Sequence, residues 1–126
     1  MCMENANMKK RSESIWTYRK MINVAKKYGV KEVYLCRRCG ADALAYFGKE
    51  YLFVEKGSIF APVNDKFNAV KNFVQDYRRI SIKAKHEANG VAKIHVAFST
   101  LDEAARFVSA SQSARARDWK RILVEV

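Results

Sequence analysis

Cys36-Arg-Arg-Cys39-Gly40 sets two thiols three residues apart on a turn that a glycine permits. Two thiolates at that spacing can grip one Zn²⁺. A structural zinc site takes four ligands, however. The other candidates are Cys2, His86 and His95, with no second CxxC and no HxxxH. Cys36 and Cys39 are therefore expected as two unpaired cysteines near a strand end, and no metal or other cofactor is expected. Arg37 and Arg38 beside them should lower the thiol pKa. Three cysteines are an odd count, which argues against a disulfide framework and for a reducing, cytoplasmic compartment.

His86 and His95 are the only histidines. His95 could act as a general base in metal-independent RNA cleavage, with Lys83 or Lys93 holding the phosphate. Nothing in the sequence supplies a second acid. Metal-dependent nuclease chemistry needs clustered carboxylates, and Asp42, Glu50, Glu55, Asp65 and Asp76 are spread over separate elements. No P-loop, GxGxxG, GxSxG or HExxH is present. An enzyme is thus the third expectation, not the first.

Charge points elsewhere. The 126 residues carry 24 Lys plus Arg against 13 Asp plus Glu, a net +11. That excess favours nucleic acid or an acidic protein as partner. It is not confined to a tail: residues 1–57 hold 12 basic and 6 acidic residues, and residues 58–126 hold 12 and 7. No apolar run approaches the ~18 residues of a membrane span, so no membrane partner is expected. The start lacks the apolar core of a signal peptide.

The elements that must position these groups follow from periodicity. Residues 1–11 show none and end in Lys9-Lys10-Arg11, so they read as a mobile basic arm before one domain over 12–126. Ile15, Tyr18, Ile22 and Ala25 recur with helical spacing, with Ser12 or Ser14 as cap and Gly29 past the end. Arg19, Lys20, Lys26 and Lys27 lie off that stripe as a basic face. Residues 30–36 and 51–55 alternate as strands, and 42–47 fits either a short helix or a strand. Residues 59–63 read as a strand and 64–77 as a helix, with Lys66 and Lys71 on its solvated side. Residues 80–86 and 91–98 read as a hairpin turning at 87–90. Thr100 to Glu103 is a capping box opening a helix, and 122–126 is a last strand. Trp16 and Trp119 read as core anchors.

From residue 58 the order is β-α-β-β-α-β, which predicts a ferredoxin-like α+β core over 58–126 with an added N-terminal helix and two or three extra strands. Both helices of such a core cover one sheet face. Parity places Lys83, Lys85, Lys93 and His95 on the other, joined by Phe60 if Ile59 and Ala61 point inward. The hairpin register puts residue 86 opposite 90 or 92, so Lys93 faces Lys83 or Lys85 at ~5 Å. Like charges so close call for a polyanion. Arg37, Arg38, Arg78 and Arg79 form two pairs at element ends, able to fork onto phosphates.

The window 91–98 partly resembles the RNA-recognition motif octamer. Val96 and Phe98 fit, and a capped helix follows. The two stacking positions hold Lys93 and His95, and the glycine is absent, so phosphate contact rather than base stacking is expected. The sequence thus predicts a small basic protein binding RNA or single-stranded DNA, or else one that binds and inhibits, or assembles with, an acidic or nucleic-acid-loaded protein. It does not indicate an oligomeric state.

Overall fold

The computed structural model describes residues 13–61, 87–88, 90–111 and 113–124. Helix α1 spans Tyr18–Tyr28. Thr17 caps it, its hydroxyl accepting the Lys20 N–H at 3.3 Å, and Gly29 closes it at φ 67°. A left-handed residue is cheap only for glycine, so the helix stops there. Its buried stripe is Met21, Val24 and Ala25. The predicted start at Ser12 or Ser14 is too early. Ser14 instead donates to buried Asp42 at 2.6 Å, and Tyr18 is half exposed.

Strands β1 (Glu32–Cys36), β2 (Ala43–Phe47) and β3 (Leu52–Val54) follow as two tight antiparallel connections. Residues 42–47, ambiguous in sequence, are thus chiefly strand. A small separate ladder pairs β4 (Glu87–Ala88) with β5 (Val91–Ala92) around Gly90 at φ 82°. Then come β6 (Val96–Phe98), helix α2 (Leu101–Ser109) and β7 (Lys120–Leu123). Thr100 caps α2 as predicted, accepting the Glu103 N–H at 3.1 Å. The five-stranded sheet runs β6-β3-β2-β1-β7, all antiparallel.

The fold is therefore a small α+β domain, but its centre is not where the sequence order suggested. The three middle strands come from residues 32–54 rather than from 58–126. Of the strand expected over 59–63, Ile59 makes only isolated bridges, to Asp42 and Val91. The helix expected at 64–77 and the strand at 80–86 lie outside the described residues. So do the basic arm, Lys66, Lys71, Arg78, Arg79, Lys83, Lys85 and His86.

Period-two alternation builds a core on each face of the sheet. Cys36, Ala43, Ala45, Leu52, Val54, Val96 and Phe98 point toward α2, whose Ala104, Ala105, Phe107 and Val108 cover them. Val33, Leu44, Tyr46 and Val124 point the other way, toward Trp16 and the α1 stripe. The N-terminal helix thus lies across the face that the sequence reading left open, over β1, β2 and the end of β7.

Glu32 and Arg121 clasp β1 to β7 with two bonds, 2.6 and 2.8 Å, and the Tyr34 hydroxyl donates to the same carboxylate at 2.8 Å. The Arg121 bond, then the Tyr34 bond, pull the Glu32 carboxyl down from 4.5 to about 2. A carboxyl lowered on folding adds stability above its unfolded value, and that stability is lost as pH falls from about 4.5 toward 2. Glu32→Gln should therefore shrink the difference in melting temperature between neutral pH and about pH 3. Thermal melts at the two pH values check this; an unchanged difference contradicts it.

Candidate nucleic-acid interface

The positions singled out in sequence fare differently. Arg19, Lys20, Lys26 and Lys27 are all exposed on α1, as predicted. Lys26 and Lys27 occupy the last turn, where cations also suit the helix dipole. Lys93 and His95 are exposed, in the stretch between β5 and β6.

Phe60 is not on that surface. It is 2% exposed and packs edge-on against Phe107 in the α2-side core, ring centroids 5.2 Å apart. Strand parity does not hold there, because residues 59–61 do not run as a strand of the main sheet. The expected strand 91–98 also breaks: β5 and β6 belong to different sheets, and Ile94, predicted inward, is 45% exposed. The hairpin register is Glu87↔Ala92 and Ala88↔Val91, one residue off the register that pairs 86 with 92 and three off the one that pairs 86 with 90. The lysine pairing predicted from it has no support in the described residues.

Arg38 is an internal latch rather than a phosphate fork. Its guanidinium donates to Asp118 at 3.1 Å, Ser113 at 2.7 Å and Ser111 at 3.4 Å, tying the turn after β1 to the segment after α2. The Arg37 Nε lies 3.9 Å from the Asp42 carboxylate.

The thiols also depart from expectation. Cys36 is a free, fully buried thiol, and Cys39 is disulfide-bonded, so they do not act as a reduced pair. Burial outweighs the lowering effect of Arg38 and pushes the Cys36 thiol up to about 11. Among the described residues no group of three His, Cys, Asp or Glu side chains could hold a metal ion.

What the structure does assemble is an aromatic run on the α1 side of the sheet. Tyr28, at the end of α1, stacks on Tyr46 of β2 at 4.1 Å and 11°. Tyr46 stacks on its cross-strand partner Phe53 of β3 at 5.6 Å and 26°. Phe53 meets the His95 ring edge-on at 5.4 Å, and Tyr51 edge-on at 6.4 Å. The Lys27 ammonium sits over the Tyr28 ring, 5.2 Å from its centroid. The Tyr28 hydroxyl donates to the buried Glu55 carboxylate at 3.0 Å, which anchors the covered end. Desolvation, then that neighbouring Tyr28 hydroxyl, raises the Tyr46 phenol well above its usual range.

From Tyr46 outward, exposure increases along the run. Tyr46 is buried beneath α1, Phe53 is half-buried, and Tyr51 and His95 are exposed. The cause is geometric: α1 covers the middle of the sheet and stops short of β6. Tyr51 and Phe53 were missed as site residues, although their period-two spacing opposite Leu52 and Val54 already put them on one face.

Comparison with protein-family models, with curated proteins and with solved structures finds no match to this chain. None of the described helices is long and apolar enough to cross a membrane.

Proposed function

We propose that the protein binds single-stranded nucleic acid across the α1 side of the sheet toward its β6 end, with its lysines on the phosphates. One observation carries this reading. Lys93 and His95 stand exposed at the open end of an aromatic run whose other end carries Lys27, in a chain of net charge +11. Phosphates supply affinity without sequence information, and each neutralised phosphate releases counterions. Lys26, Lys27, Lys93 and two further basic groups from α1 make about five such contacts, with Arg19 and Lys20 as the candidates.

Binding of a labelled single-stranded oligonucleotide across a salt series tests this. The logarithm of affinity should fall with the logarithm of salt at a slope of about −3.5, a loss of roughly a hundredfold between about 50 and 200 mM. Absence of binding at low salt, or a slope near zero, rejects the reading.

A further inference from the structure

The strand pairing leaves a notch beside Phe53. Its neighbour across the ladder on β6 is Ala97, which is exposed. Strand β6 is the end strand of the sheet among the described residues. Toward β2 the Phe53 ring is backed by Tyr46. Gly48 lets the ring sit close to the β2–β3 turn: a Cβ there would come within 2.7 Å of it. Toward β6 its cross-strand partner is the small, exposed Ala97. His95, just before β6, stands edge-on to the ring at one side, and Tyr51, 48% exposed, stands at another.

We propose that this notch, floored by Ala97 and bounded by Phe53, His95 and Tyr51, receives one unpaired base of the bound strand by stacking. The inference rests on the nucleic-acid reading above and adds what phosphate contact alone does not: selection for unstacked bases. A planar base suits a slot one small residue wide beside a ring held in place by Tyr46 and Gly48. Charge selects the class of occupant, because Lys93, two residues before His95, can take the adjoining phosphate. Every base has a π face, so recognition is tolerant of sequence. In a duplex the bases are already stacked and cannot enter.

The test uses the full chain and two probes: a single-stranded oligonucleotide and an abasic oligonucleotide of the same length, which keeps the phosphates and removes the bases. The first should bind on the order of tenfold more tightly. Ala97→Leu fills the notch at an exposed position. It should bring the two affinities together while leaving abasic binding and the salt slope unchanged. Circular dichroism checks that it folds. Tyr51→Ala, at the exposed β2–β3 turn, gives the same readout if it does not. Equal affinity of the normal chain for both probes overturns the notch but leaves phosphate binding standing, as does full preference retained in a folded Ala97→Leu. Failure to bind either probe at low salt overturns both.

Discussion

Asp42→Ala should lower stability by about 3 kcal/mol, because two hydrogen bonds to a buried charged group are lost together. The Asp42 side chain is 2% exposed. Oδ1 accepts the Ser14 hydroxyl at 2.6 Å, and Oδ2 accepts the Ile15 N–H at 2.8 Å. Its backbone exchanges two 2.9 Å bonds with Ile59, and its carbonyl also accepts the Trp16 indole N–H at 3.1 Å. One residue thus ties the segment before α1 and the chain after β3 to the start of β2. Alanine leaves the backbone bonds in place and strips the partners of the N-terminal segment. For a domain of this size the melting temperature should fall by roughly 10–20 °C. Trp16 emission should shift to the red as its cover loosens. Asp42→Asn keeps the shape but offers a single acceptor oxygen, so its loss should be intermediate. A change below about 1 kcal/mol for alanine would show that the Asp42 carboxylate does not hold the segment.

This anchor was not legible in the sequence. Asp42 read as one of five scattered carboxylates, because its partners lie 27 and 28 positions away in the chain. The alternation in 30–36 and 51–55 was legible, and β1 and β3 stand where it put them. What periodicity could not reveal was that both faces of those strands are covered. Tyr34 and Cys36 pack toward α2 while Val33 and Leu35 pack toward α1. Residues 42–47 stayed ambiguous because Ala-Leu-Ala-Tyr suits helix or strand equally, and only pairing with β1 and β3 decides.

The errors near the site share a cause. The break at residues 93–95 carries no glycine or proline, so the run 91–98 read as one continuous strand, and parity was carried across a bend. Phe60 was misplaced the same way, by extending strand parity into a segment that bridges rather than joins the main sheet. Arg38 read as a free fork because Ser111, Ser113 and Asp118 are more than 70 positions away. Lys93, His95 and the basic side of α1 were legible, since charge on a predicted element needs no partner to be exposed.

Removing Lys26, Lys27 and Lys93 together should have the largest effect on binding. All three are exposed, and Lys27 and Lys93 lie toward opposite ends of the aromatic run. Each phosphate contact on a single strand contributes about 0.7 to the salt slope, which amounts to about 0.7 of a decade in affinity at ~0.1 M salt. The triple alanine variant should therefore lose about a hundredfold in affinity, and its slope should flatten from about −3.5 to about −1.4. Alanine at Arg117 and Lys120, near the opposite β7 edge, should change affinity by less than about twofold beyond the small effect of net charge. Parallel salt titrations of the three proteins against one single-stranded oligonucleotide measure this directly. A weakened, flattened curve for the lysine variant alone is the expected result. Equal curves for all three, or the larger loss in the Arg117 and Lys120 variant, would place the polyanion on another surface and contradict the account.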